Sequence, residues 1–258
     1  MTTIAFTPIQ LLLLFFAGAA ASAVNAVAGG GTLITFPLMT IGMHMSTKMA
    51  NATNSVSLWP GSLSGAFGFK NLLHKTAHYL KTLFIPTALG SAAGALLFLN
   101  TSEHGFQIAV PFLILVADIL LFLQPQVKKF AAKGDHALPI WFGVVMQFFV
   151  AAYGGYFGAG MGIMMLAAFA LYIEGTIHEL NAVKNWLGVI INVVCSLVFI
   201  TKGLIAPVPA IALTLGSVLG GFSAAKLSQR LNPDKLRIAI AIYGLFMALY
   251  FAYQAWHT

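Results

Sequence analysis

Long runs of apolar residues alternate along the chain with short polar interruptions, and their lengths predict helices rather than strands. A membrane-spanning helix needs about 20 predominantly apolar residues. Measured outward from Lys and Arg, such blocks occupy 10–28, 49–69, 80–99, 105–123, 138–158, 182–201, 205–224 and 236–256. Two further apolar stretches, 32–43 and 161–173, follow glycine clusters and are too short to span comfortably. The expected fold is all-α and integral to the membrane, with about eight long hydrophobic helices, two short glycine-broken helices and two inverted repeats. The longest aqueous loop, Gln124 to Ala137, is too short to fold alone.

Composition fixes the class. Of 258 residues, 59% are hydrophobic and 7% charged, whereas a soluble domain carries roughly a quarter charged residues. The net charge of +7 does not point to nucleic acid, because the basic residues flank apolar blocks and act as topology determinants. Cys195 is the single cysteine, which excludes an intrachain disulfide and a cysteine-based zinc site. There is no Walker lysine, HExxH or CxxC, and the pairs His74/His78 and Glu174/His178 lack a third convergent ligand, so neither cofactor nor metal is expected. Ala21-Ser22-Ala23 resembles a signal cleavage site, but no Lys or Arg precedes Lys48, and the first block is expected to remain as a helix.

Shifting the chain by 131 residues lays Gly29-Gly30-Gly31 over Gly160-Met161-Gly162 and Asn54 over Asn185. Each half, 1–131 and 132–258, then reads as a long block, a glycine break, a short stretch, a polar Asn-containing segment and three long blocks, the signature of a duplicated transporter fold. The basic residues discriminate between topologies. If every long block crosses once, Lys70, Lys75, Lys81, Lys128, Lys129, Lys133 and Lys202 face Lys48, Lys184, Lys226, Arg230, Lys235 and Arg237, which is no bias. If instead the units 10–43 and 138–173 each turn back on themselves, all of these except Lys48 and Lys202 share one side. The positive-inside rule favours this second topology. It makes the second half inverted relative to the first, and puts the basic loops of this multi-pass protein in the cytoplasm and both termini outside.

Candidate chemistry follows from the breaks. Non-helical backbone survives at membrane depth only when buried in protein or lining a wet cavity. Helices opening after such breaks, at Thr32 and Leu33 and at Ile163 and Met164, would offer N–H groups and positive dipole ends to a small anion. The polar run Asn51 to Ser57 and its counterpart Asn181 to Trp186 supply amide and hydroxyl donors without the desolvation cost of a full charge. Lys184 either adds a point charge to such a site or snorkels to the interface. Glycines at 61, 65, 90, 94, 216, 220 and 221 suit close helix packing. Asn25, Gln147 and Asn192 suit interhelical hydrogen bonds. Asp118, the one acidic residue well inside a long block, is either a proton-coupling group or a carboxylate paired with lysine near the cytoplasmic end.

The stretch Ala26 to Gly65, with Gly-Gly-Gly-Thr-Leu-Ile-Thr-Phe-Pro, Ala-Asn-Ala-Thr-Asn-Ser-Val and Pro-Gly-Ser-Leu-Ser-Gly, resembles the first repeat of the TauE/SafE sulfite exporter family. Gly154 to Gly162, followed by Leu-Asn-Ala-Val-Lys-Asn and Ile-Asn-Val-Val, resembles its second. The resemblance implies a bacterial-type inner-membrane permease, not an enzyme, for small sulfur-containing anions such as sulfite, thiosulfate or organosulfonates. Carried onto this chain, the implied site residues are Gly29, Gly30, Gly31, Thr32, Asn51, Thr53 and Asn54 in one half. In the other they are Gly160, Gly162, Asn181, Lys184 and Asn185, with Met161 breaking the triple glycine. The expected partners are the anion and the lipid bilayer; self-association into a homo-oligomer is left open. An anion channel, and an intramembrane enzyme or assembly factor, are the alternative readings.

Overall fold

A computed structural model of the chain describes residues 6–27, 30–68, 73, 76–133, 138–230 and 233–257. Their regular structure is entirely helical. In order they form α1 (Pro8–Val27), α2 (Thr32–Pro37) running into a π-helical turn (Leu38–Gly42), α3 (Thr47–Gly68), α4 (Ala77–Asn100), α5 (Glu103–Lys133), α6 (Ile140–Tyr156), α7 (Met161–Phe169), α8 (Ile177–Thr201), α9 (Pro207–Arg230) and α10 (Pro233–His257). Among the described residues, five stretches are long and apolar enough to cross a bilayer: Pro8–Asn25, Ala77–Asn100, Glu103–Val127, Ile177–Thr201 and Arg237–Trp256. Thr32–Gly42, Ile140–Tyr156 and Pro207–Ser223 are apolar but shorter. The expectation of eight long hydrophobic helices is therefore met in part. Residues 49–68 of the 49–69 block fall in α3, whose Asn51, Thr53, Asn54, Ser55 and Ser57 are all buried, so this helix is shielded from lipid by protein rather than by its own apolarity.

Side-chain and backbone contacts fix how the helices run. Gly90 packs on Phe148 and Gly94 on Ala152, so α4 and α6 run in the same direction. Gly216 on Phe15 and Gly220 on Ala19 do the same for α9 and α1. The Ala206 amide donates to Thr53 Oγ1 (3.0 Å), Ser57 Oγ to the Ala210 carbonyl (3.3 Å) and Ser64 Oγ to that of Val218 (3.3 Å), so α3 is parallel to α9. The Glu174 amide meets the Tyr79 hydroxyl (3.3 Å), Cys195 lies against Ser91 and Phe199 against Phe98, so α8 is parallel to α4. Asp118 faces Gly244 while Gln107 shares a cavity wall with Phe251 and Gln254, so α5 and α10 are antiparallel.

Two faces result. On one, the Lys48 face, the start of α3 meets the turn between α4 and α5: Lys48 Nζ donates to the Leu99 and Thr101 carbonyls (3.2 and 2.6 Å). On the other, the Thr76 face, the starts of α4 and α8 meet, Gly175 lying beside Thr76. The Leu138 amide donates to the Leu171 carbonyl (3.1 Å), so α6 leaves and α7 returns to the same level. Gly31 lies against Ala21, so the first break likewise folds back along α1.

The glycines at 90, 94, 216 and 220 have no room for a side chain, since a Cβ at each would overlap a carbonyl of the facing helix. Overpacking of this kind costs about 1–3 kcal/mol. Gly188 differs: a Cβ there would meet only the Met161 and Met165 methyl groups at ordinary contact distance. Gly220→Ala is expected to lower the melting temperature of the purified protein measurably and Gly188→Ala to leave it nearly unchanged. Equal effects of the two would contradict the packing.

Candidate functional site

Two glycine breaks organise the interior. Gly30 (φ 108°) and Gly160 (φ 75°) adopt left-handed backbone, which side-chain-bearing residues avoid. These turns let α1 and α6 reverse into α2 and α7 at depth. The backbone groups they expose are then taken up locally. The Gly31 amide donates to Asn25 Oδ1 (2.7 Å), and the Tyr153 hydroxyl donates to the Ala159 carbonyl (2.7 Å). Leu33 donates to the Gly30 carbonyl, and Ile163 and Met164 to that of Gly160 (2.9, 2.9 and 3.2 Å). This corrects the expectation that Leu33, Ile163 and Met164 present free helix-terminal N–H groups, because each closes the tight turn that opens its helix.

Between the breaks lies a cavity of about 710 Å³ including its open mouth. Of the expected site residues, Gly30, Thr32, Asn54, Gly160, Gly162, Lys184 and Asn185 line it. Four others take other places. Gly31 is packed against Ala21, Asn51 Nδ2 donates to the Tyr156 carbonyl (3.0 Å), Thr53 accepts from Ala206 (3.0 Å) and Asn181 Nδ2 donates to the Ile177 carbonyl (2.8 Å). Gly29 lies outside the described residues. Asn25 and Asn192, expected only as interhelical hydrogen-bonding groups, also line the cavity, with Ser22, Ser55 and Ser62. Gly65, grouped by spacing with the packing glycines, lines it as well. The signal for Asn192 was its place seven residues beyond Asn185, two helical turns along one face.

The two asparagines that the 131-residue shift superposes stand in different surroundings. Thr35 Oγ1 donates to Asn54 Oδ1, and Asn54 Nδ2 donates to Thr32 Oγ1 (3.2 Å). The corresponding positions near Asn185 hold Ile163 and Leu166, without hydroxyls. Asn185 is 9% exposed, and its Nδ2 has no hydrogen-bond partner.

Lys184 is 4% exposed, and its stem lies on Gly162, where a Cβ would come within 3.3 Å of Lys184 Cδ. It is thus a cavity residue and not a snorkelling one, which removes it from the basic loops of the charge count. Among the described lining residues it carries the only formal charge, with four asparagines around the same space and no carboxylate. Asp118 is outside the cavity. It is 8% exposed, its Oδ1 lies against Gly244 without a hydrogen-bond partner, and it sits midway along α5 rather than near the helix end. No cluster of three His, Cys, Asp or Glu suited to a metal occurs among the described residues.

Apolar helices of bilayer length, folded around a polar cavity at two broken helices, define a multi-pass membrane transporter. The model of the sulfite exporter TauE/SafE family matches residues 14–251, and the chain belongs to that family. It is 29% identical over 250 residues to a probable membrane transporter protein of Haemophilus influenzae, covering 95% of this chain and 96% of that one. It is 26% identical to the probable membrane transporter protein YfcA of Escherichia coli, covering 96% and 92%. To the probable membrane transporter protein ORF9 of a Sinorhizobium species the identity is 24%, with 90% of each covered. No solved structure matches the chain.

Replacing one partner of a buried hydrogen-bonded pair strands the other, at about 1–3 kcal/mol, whereas removing an unsatisfied donor is nearly neutral or stabilising. Asn54→Leu is therefore expected to destabilise the protein by abandoning Thr35. Asn185→Leu is expected to hold or raise the melting temperature. Melting curves of the two variants decide, and a larger loss in Asn185→Leu would contradict the assignment.

Proposed function

We propose that the chain is a secondary transporter that carries small sulfur-containing anions, such as sulfite, thiosulfate or organosulfonates, through this cavity. The observation that carries the reading is the lining itself: among the described residues, one lysine, several amides and no carboxylate. Such a set favours an anion and repels a metal cation. Asn185 Nδ2, buried and unpartnered, is the donor an oxyanion would satisfy. The sulfur chemistry of the substrate rests on the family.

The two halves act as inverted repeats. In support, α3 runs away from the Lys48 face while its counterpart α8 runs toward it, and α5 and α10 are antiparallel. The Thr76 face is cytoplasmic. Lys81 near the start of α4, Lys129 in the last turn of α5 and Arg237 in the first turns of α10 lie toward that face, as the positive-inside rule requires. An inside-negative potential then drives an anion outward by about 2.3 kcal/mol per charge per 100 mV, so export needs no coupling and uptake does.

A ligand at 100 times its Kd stabilises the state it binds by about 2.7 kcal/mol. Sulfite, thiosulfate or sulfoacetate is therefore expected to raise the melting temperature of the purified protein, and Lys184→Gln to weaken the response. A shift produced by cations or neutral solutes and by none of the anions would overturn the anion reading. Asp118 is the proposed coupling group, a lone buried carboxyl at the α5–α10 contact. Asp118→Asn in proteoliposomes is expected to keep anion flux while losing its response to an imposed pH gradient. An unchanged response excludes Asp118 from coupling.

A further inference from the structure

The cavity does not run through to the Lys48 face. Phe157 lines it and stacks edge-on against Phe36 of α2 at 5.4 Å between ring centres. Phe36 in turn meets Phe251 of α10 at 5.6 Å. Phe251 lines a second hollow, of about 510 Å³ including its mouth, with Thr40, Ser46, Gln107 and Gln254. Two polar spaces thus lie on opposite sides of one wall of three rings, each at most 3% exposed. The wall continues sideways through Phe106, Phe98 and Phe199, with ring centres at 6.2, 4.9 and 5.0 Å in turn. Its rings come from both halves of the chain.

The rim of this wall is tied down by charge. Glu103 Oε1 accepts from Thr47 Oγ1 (2.6 Å) and from the Lys48 amide (3.2 Å), placing a carboxylate at the N-terminus of α3, where the helix dipole favours it. The Lys48 ammonium donates to the Leu99 and Thr101 carbonyls and stands 5.1 Å above the centre of the Phe98 ring, a cation–π position. One pair of charges thereby joins α3, the α4–α5 turn and the aromatic wall.

Toward the Thr76 face the cavity continues. Its lining on α3 runs from Asn54 through Leu58 and Ser62 to Gly65, and the helix ends at Gly68. At 1.5 Å rise per residue that is about 16 Å of helix. No ring wall crosses this path among the described residues; Phe67, paired with Trp186, is 53% exposed.

We infer that Phe36, Phe157 and Phe251 are the closed gate of this transporter on the Lys48 face, latched by Lys48 and Glu103, and that the structure holds the cavity open toward the Thr76 face. The inference rests on the carrier reading of the cavity and is independent of which anion is carried. Opening the gate requires α10 and the α5 start to part from α2, which would merge the outer hollow with the cavity. The aromatic gate interrupts what would otherwise be a continuous pore, as alternating access demands.

Thiol accessibility tests this without a substrate. In a Cys195→Ala background, Gln107→Cys reports the outer hollow and Ser62→Cys the cavity, each challenged with a membrane-impermeant charged thiol reagent in intact cells and in inverted vesicles. Gln107→Cys identifies which preparation presents the Lys48 face, so no assumption about orientation is needed. Ser62→Cys is expected to react in the opposite preparation. Adding Lys48→Met is expected to raise its reactivity from the Lys48 face by about tenfold, the population shift of losing one charge-assisted hydrogen bond. Melting curves confirm that the variant is folded; should it not be, Glu103→Gln replaces it. Equal reactivity of Ser62→Cys from both faces with the wall intact, or no increase in folded latch variants, overturns the gate. Either outcome leaves the anion reading standing, because that reading is judged by ligand-dependent melting.

Discussion

Everything in this fold depends on satisfying the peptide groups of two interrupted helices at membrane depth. Hydrocarbon offers no partner, and each unsatisfied group costs several kcal/mol. Asn25, Tyr153 and the tight turns at Gly30 and Gly160 meet that demand from within. They do so only while α1 and α6 stay beside the segments they feed. The polar helices α3 and α8 then cannot face lipid, and the parallel pairs α1/α9 and α4/α6, closed by backbone-to-backbone glycine contacts, form the apolar shield around them. The cavity lies in the space the breaks leave open.

That order explains what was legible in the sequence. Apolar blocks and glycine breaks are local patterns imposed by the bilayer, so the helical fold and the two interruptions could be placed from letters alone. Depth and direction could not. Lys184 looks like a helix-end lysine because it opens the apolar block 182–201, yet α8 starts seven residues earlier at Ile177 and Gly162 gives the lysine stem a place to lie inside. Gly65 follows the same spacing as the packing glycines but lines the cavity. Asp118 looks near a helix end because its apolar block stops at 123, whereas α5 continues through Lys133. The helix-terminal N–H groups looked free because a break in sequence does not reveal how tightly the turn closes.

The aromatic wall was invisible for a different reason. Phe36, Phe157 and Phe251 are separated by more than 90 residues each, and in a chain with 21 phenylalanines none stands out. Only the two hollows on either side give the contact meaning. The latch has the same character: Lys48 and Glu103 flank different apolar blocks and read as two unrelated boundary charges.

The two asparagines that the 131-residue shift superposes do not share their surroundings. Hydroxyls of Thr32 and Thr35 hold Asn54 in a closed network, so its amide is oriented before any ligand arrives. Asn185 has only the aliphatic Ile163 and Leu166 at the matching places, and Lys184 stands next to it. An anion entering from the Thr76 face would therefore first meet a charge and an unsatisfied donor, and then a preorganised amide deeper in. Charge attracts at range, whereas fixed dipoles cost no reorganisation on contact. Perfect symmetry would place both functions equally at both ends. The departure of Met161 from the triple glycine belongs to this division, since its side chain fills the α7 side of the cavity where the first repeat has only backbone. On the proposed reading the backbone keeps the likeness of the two halves, and the side chains around the cavity break it.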